Sequence, residues 1–282
     1  MLGKNHFKEM YKNERVMPVS LDFSTLNRTA DAAVTFIKHS TVLLTYLGKN
    51  IIVDPIFFDL FHFVKDFTPL HFDLSSIPKP DIILITHGHY DHLDLRSLKK
   101  LPEDSVVVAP LGYNTLFTTA GFKQIISLDW FETYCVGEIE ITLLPSNHWT
   151  MRNPLAGPNR GLWGSFLIRA HSVAPPIFIS GDTGYFGGFK EIGNEFDIDL
   201  AIINLGAYEP RWFMAQSHLN PPEAARAFLD LGAKKLMIVH WGTFRLGDEP
   251  VYLPPIRIAE EMQSLGLGDR LVRIRHGETI FL

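Results

Sequence analysis

A short isoleucine-rich run, Asp81–Thr86, leads directly into four metal-ligating side chains within six residues: His87, His89, Asp91 and His92. The run is long enough for a buried strand and too short for a helix. Ligands placed just past a strand end suit an open α/β sheet, whose sites form outside the carboxyl ends of the strands. His87 and His89 stand two apart, so on an extended backbone both imidazoles point the same way and can reach one ion. Gly88 adds no side chain between them and lets the backbone turn tightly. Asp91 and His92 follow the turn and can reach a second ion. Imidazole together with carboxylate suits zinc, with iron and manganese as competitors.

The remaining composition narrows the class. The chain has 282 residues, room for one large α/β domain or two small ones. No repeat, low-complexity tract or linker is visible, so one compact domain is expected. A net charge of −5 and a pI near 6.2 give no basic footprint for nucleic acid. Cys135, the sole cysteine, cannot form an internal disulfide, and its Tyr-Cys-Val-Gly setting reads as a small core residue. The N-terminal residues are polar, with no apolar stretch of the kind a secretory signal carries. No run approaches the length of a membrane span. The cytoplasm is therefore the expected location, with peripheral contact to a membrane left open.

Read in order, residues 1–20 form a polar arm with a short helix. Ala33–His39, Thr41–Leu47 and Ile51–Val53 read as strands with hairpin punctuation at Gly48-Lys49-Asn50. Asp54 ends the last of these; it could fix the tautomer of a ligand imidazole or simply cap a turn before Pro55. Residues 56–73 hold six phenylalanines with neither helix nor strand periodicity. They read as an aromatic cluster on the sheet face, or as a greasy wall, dimer contact or membrane-facing lip. Helices are expected at Leu93–Leu101, Leu111–Ala120, Pro222–Leu231 and Pro255–Leu265. Asn220 and Glu223 offer a capping box for the third of these. Strands are expected at Val106–Ala109, Gln124–Leu128, Thr133–Val136, Glu138–Leu144, Ile177–Ser180, Leu200–Leu205, Leu236–Val239, Leu271–Arg275 and Thr279–Leu282. The Gly- and Pro-rich stretch from Arg152 to Ser165 reads as an ordered substrate loop.

Three more candidate ligands follow strand ends: His148 in Pro-Ser-Asn-His-Trp, Asp182 in Gly-Asp-Thr-Gly-Tyr and His240 in His-Trp-Gly-Thr. The whole set resembles the metallo-β-lactamase superfamily, from about Ala33 to the C-terminus. That resemblance implies an α/β fold, the four-layer αββα sandwich, with an arm at 1–32 and the hydrolase domain at 33–282. It also implies two divalent ions, zinc first and iron or manganese as alternatives. One ion would take His87, His89 and His148, the other Asp91, His92 and His240, with Asp182 bridging.

The flanks resemble one branch more closely, the phospholipases D that hydrolyse N-acyl-phosphatidylethanolamine. The carrying motifs are Asp54-Pro55-Ile56-Phe57, HYDHLD, PSNHW, LWGS, GDTGY, HWGTF and above all GAYEPRWFM followed by His218 and Pro222-Glu223-Ala224. The branch implies a lipid phosphodiester substrate, cleaved by activated water to N-acylethanolamine and phosphatidic acid, and a homodimer. Asp182, Asp91 and His218 would do the catalytic work, His218 by protonating the leaving group or holding the phosphate. Asp54, Tyr185, Trp149, Arg152 and Arg211 are candidates to support the ligands or meet the substrate, although Arg211 reads first as a structural partner of Glu209 or a neighbour. The phenylalanine-rich stretch departs from the branch, where the segment is polar and basic, as does the lack of the animal enzymes' long N-terminal extension. The alternatives are a lactonase using the same centre, or a non-catalytic metal-binding scaffold.

Overall fold

The computed structural model describes residues 5–18, 20–23, 26, 31–70, 73–170 and 173–282. The first sheet contains β1 (Ala32–Lys38), β2 (Thr41–Tyr46), β3 (Lys49–Val53), β4 (Ile82–Leu84), β5 (Val106–Pro110) and β6 (Gln124–Leu128). The second contains β7 (Thr133–Val136), β8 (Ile139–Leu144), β9 (Ser165–Ala170), β10 (Ala174–Ile179), β11 (Leu200–Asn204), β12 (Lys235–Val239) and β13 (Leu271–Val272). The last strand, β14 (Thr279–Phe281), returns to pair with β1.

Both sheets have seven strands, ordered β14-β1-β2-β3-β4-β5-β6 and β13-β12-β11-β10-β9-β8-β7. They share one pattern. β14 through β3 are antiparallel, and β4, β5 and β6 then join in parallel. β7 through β10 are likewise antiparallel, followed by parallel β11, β12 and β13. Sequence self-similarity does not reveal this duplication.

Alternation along the strands builds the layers. Val34, Phe36, Val42, Leu44, Val53 and Leu84 face the second sheet and form the central core. Ala33, Ile37, Leu43, Ile52 and Ile83 point the other way, onto Leu98 of α1 (Leu95–Leu98) and Phe117 of α2 (Asn114–Ala120). α3 (Gly188–Glu195), α5 (Pro221–Asp230) and α6 (Leu253–Ser264) cover the second sheet through Phe189, Ile192, Phe228, Ile258 and Met262. Burying each such side chain contributes about 1.5–3 kcal/mol. The expected layered α/β sandwich is therefore present.

Local departures have local causes. β9 starts at Ser165, where the expected loop ends, because Phe166, Leu167 and Ile168 are fully buried between β8 and β10. α3 has no counterpart among the expected helices. Cys135 is exposed, not buried, because β7 is an edge strand with one face towards solvent. Residues 5–14 lie against the 245–251 loop. There Tyr11 Oη donates to the Asp248 carbonyl at 2.6 Å, and Glu14 accepts from Val251 N at 2.9 Å. His71 and Phe72 fall outside the described residues.

Candidate metal centre

The strands that turn parallel bring their carboxyl ends to one edge, where βαβ sheets place their sites. Asp54 leaves β3, His87–His92 leave β4, Asp182 leaves β10 and His240 leaves β12, while His148 follows β8. Three groups there could hold a metal ion: His87, His89 and His148; His39, Asp91, His92 and His240; and His87, His92 and Asp182.

In the first group, His87 Nε2 lies 3.0 Å from His89 Nδ1, which lies 3.2 Å from His148 Nε2. Nitrogens sharing one tetrahedral zinc at its usual bond length are about 3.3 Å apart. In the second, Asp91 Oδ2 is 3.1 Å from His39 Nε2, 3.5 Å from His92 Nε2 and 3.6 Å from His240 Nε2. Asp182 stands between the groups. Its Oδ1 is 3.4 Å from His240 Nε2. Its Oδ2 is 3.2 Å from His92 Nε2 and 3.9 Å from both His87 and His148.

Several polar atoms at this edge lack partners. His92 Nε2 and both nitrogens of His240 are buried without a hydrogen bond, although His92 lies within contact distance of Asp182. Buried polar atoms normally find partners, and a cation among these nitrogens and carboxylates would supply one. The donor set of imidazole and carboxylate matches zinc.

The outer ring nitrogens of His92, His87 and His148 are held, whereas His240 Nδ1 has no hydrogen-bond partner. His92 Nδ1 donates to Asp54 Oδ2 at 2.7 Å. Thr86 Oγ1 donates to the same oxygen at 2.6 Å and lies 3.0 Å from His87 Nδ1. His148 Nδ1 donates to the Ser217 carbonyl at 3.1 Å. Each contact leaves Nε2 free to face the centre, the tautomer metal ligation requires. Asn204 Nδ2 donates to Asp182 Oδ1 at 2.8 Å. His39, Asp54 and His240 all carry positive φ, at 50°, 42° and 72°. That left-handed backbone costs a non-glycine residue about 1–2 kcal/mol, and such strain clusters at functional sites.

Burial and mutual repulsion shape the charges. Burial lowers His87, and His92, His148 and His89 lower it further. Burial pushes His148 down to about 3 and His218 down to about 4. For Asp182 burial works upward, but His240 and His92 outweigh it and hold the carboxyl well below its usual range. Asp91 behaves alike, with His92 the leading opposing charge. His92 differs: burial works to lower it, but Asp182, Asp91 and Asp54 outweigh burial and raise it well above the usual imidazole range. Neutral His87 and His148 and ionised Asp91 and Asp182 are in the forms metal binding demands, and His92 would give up its proton to an ion.

The other expected residues divide. His218 Nδ1 is 3.9 Å from Asp182, and its ring meets His148 edge-on at 5.4 Å. Trp149 is partly exposed and stands edge-on to His89 at 4.8 Å, walling the mouth. Tyr185 turns away, its hydroxyl bonded to Asp230 of α5. Arg152 Nη1 donates to the Gly88 and Leu93 carbonyls at 2.9 and 2.7 Å, bracing the loop that carries the candidate ligands. Arg211 donates to the His218 carbonyl at 2.8 Å and pairs with Glu223 at 2.7 Å. Glu223 closes the expected capping box with Asn220, so the start of α5 fixes the approach of His218. His39, Thr86 and Asn204 went unrecognised in the sequence. A histidine in the two-residue link between β1 and β2, where Asn and Gly are usual, is the one local signal His39 offered.

The beta-lactamase superfamily domain matches residues 49–241. A metal-dependent hydrolase of Ligilactobacillus salivarius is 30% identical over 75% of this chain and 85% of its own. The chain belongs to the metallo-β-lactamase superfamily, as a metal-dependent hydrolase domain. Within it the chain resembles the branch of the mitochondrial N-acyl-phosphatidylethanolamine-hydrolyzing phospholipase D of Saccharomyces cerevisiae. Identity to that protein is 36%, over 87% of this chain and 55% of the yeast one, so the chain spans little more than half of that relative. The fold is also that of an isothiocyanate hydrolase from Delia radicum gut bacteria, with a TM-score of 0.73 at 19% identity over 89% of this chain and 98% of that one.

Proposed function

We propose that this protein is a binuclear phosphodiesterase of the phospholipase D type, cleaving N-acyl-phosphatidylethanolamine-like lipids to N-acylethanolamine and phosphatidic acid. What supports this most directly is Asp182, set between two groups that could each hold an ion. Similarity to the yeast phospholipase D supplies the substrate class. His87, His89 and His148 would hold one ion, and Asp91, His92 and His240 the other, with Asp182 reaching both. Zinc fits these donors first. Bound there, such ions would lower the pKa of water to about 7 and offset charge developing on a phosphate.

The chain's own residues do the rest. Asp54, Thr86 and the Ser217 carbonyl hold three imidazoles in the ligating tautomer, and Asn204 fixes one oxygen of Asp182. His218, kept neutral by burial, donates one N–H to a phosphate oxygen. Water adds its oxygen to phosphorus, the P–O bond to the N-acylethanolamine breaks, and the departing oxygen takes up the proton that the water gives up. Exposed aromatic side chains lie on the segments that carry the site. Phe63 is 82% exposed and stacks on Phe61, which meets Tyr90 of the ligand loop edge-on at 5.1 Å. Trp212 and Phe213, 68% and 65% exposed, belong to the single turn α4 (Arg211–Met214) just before His218. This rim would bring the site to a lipid surface, as a peripheral contact on the cytoplasmic side. Among the described residues no helix is long and apolar enough to cross a membrane.

The test is hydrolysis of N-acyl-phosphatidylethanolamine in mixed micelles by zinc-loaded protein, with products separated by mass. Release of N-acylethanolamine and phosphatidic acid, abolished by chelation and restored by zinc, supports the assignment. Absence of turnover with two ions bound overturns the substrate.

A further inference from the structure

We infer that His39 is a positioning residue for the second ion, holding Asp91 and His240 in place without ligating the metal itself. Its ring nitrogen Nε2 lies 3.1 Å from Asp91 Oδ2, a hydrogen bond donated to a carboxylate that also faces His92 and His240. Its carbonyl accepts from His240 N at 2.8 Å, and its ring lies over that of His240, centroids 4.1 Å apart. One residue of the β1–β2 link thus grips two candidate ligands drawn from other elements.

His39 is itself clamped. It is fully buried, its backbone N donates to Thr243 Oγ1 at 2.8 Å, and Phe244 stands edge-on to its ring at 5.0 Å. Its backbone stays in the left-handed region, at φ 50°. A Gly would occupy that link without strain, so the strained backbone is tolerated where the imidazole makes these contacts. The centre therefore has two parallel supports. Asp54 steadies His87 and His92, and His39 steadies Asp91 and His240. Outer partners of this kind govern metal affinity as the ligands do. Ligation by His39 would take its Nε2 away from Asp91 and leave that carboxylate oxygen without its donor.

The inference rests on reading Asp91, His92 and His240 as ligands of one ion. Its test involves no lipid, so the substrate assignment can fail while this holds. Stripped protein is titrated with zinc against a chromophoric chelator, with cobalt(II) absorption as a second readout. His89→Ala and Asp91→Ala assign the two binding steps. His39→Phe should weaken the Asp91-dependent step by about 10–100-fold and leave the His89-dependent step unchanged. His39→Gln, whose amide N–H can reach Asp91, should recover most of the loss. Thermal melts of the stripped proteins establish that the variants fold, and His39→Asn, too short to reach, replaces the Phe variant if that one does not. Wild-type titration of His39→Phe overturns the inference, as does equal weakening of both steps. Outright loss of the second ion in His39→Gln, with an altered cobalt spectrum, would make His39 a ligand and overturn it. A wild-type protein that takes up a single ion also overturns it.

Discussion

The Asp54 carboxylate accepts a hydrogen bond from His92 Nδ1 at 2.7 Å, and the same oxygen receives the Thr86 hydroxyl that adjoins His87. One buried aspartate thereby steadies an imidazole in each candidate ion group. Asp54→Ala should lower affinity for both ions by about 10–100-fold, whereas loss of a support to one site would weaken one step alone. Stepwise zinc titration of the stripped variant decides this. A single weakened step would confine Asp54 to one ion.

Gly88 is required for space. A Cβ there would lie 2.5 Å from Tyr113 Cε1 and 2.8 Å from Thr150 Oγ1, and no positive φ is involved. Gly88→Ala should destabilise the fold by about 1–3 kcal/mol through overpacking and pull His87 and His89 out of register. Urea unfolding together with zinc uptake checks both effects. An unchanged midpoint with full uptake would remove Gly88 from the account.

Glu249 is almost fully buried and accepts from Tyr208 N and Glu209 N at 3.1 and 3.0 Å. Burial pushes its carboxyl from an ordinary 4.5 up to about 7. The folded state thus keeps a proton that the unfolded chain releases above its lower pKa. The stability this contributes is complete below about pH 4.5 and is lost as pH rises through about 7, to the extent of ~3 kcal/mol. Glu249→Gln should flatten that part of the curve. Unfolding free energies of both proteins from pH 5 to 8 would show the two lines diverging. Parallel lines would mean that Glu249 titrates normally.

The aromatic rim gives a prediction about lipid. Replacing Phe61 and Phe63, or Trp212 and Phe213, by serine should weaken binding to phospholipid vesicles by at least about tenfold per pair, given the apolar burial lost. Hydrolysis of a short-chain, monomeric phosphodiester should persist. Co-sedimentation and kinetics on both substrates separate the two effects. Equal loss on both substrates would place the rim in the architecture of the site and not at a membrane.

How far the sequence reached follows from the range of each interaction. His87, His89, Asp91 and His92 were legible because they are neighbours on one chain segment, and a strand period fixes which way their side chains point. His148, Asp182 and His240 were legible because each follows a recognisable buried strand, and parallel strands share an edge. Asp54 was half legible. Its place before a proline allowed both a cap and a support, and only the 2.7 Å contact to His92 chose between them. His39 reaches Asp91 across 52 positions, and Asn204 reaches Asp182 across 22. No local pattern records such partners. The arginines divide: Arg211 read first as a structural partner of a nearby acid and pairs with Glu223, whereas Arg152 read as an anion contact and its Nη1 is bonded to backbone carbonyls. The amino-acid sequence alone determined most of the strands, though not β9, together with the candidate ligand types and the edge where they gather, because these depend on periodicity and residue chemistry. The tertiary structure alone decided which groups hold the ligands still and which charges are already spent, because those choices depend on three-dimensional proximity between segments far apart in the chain.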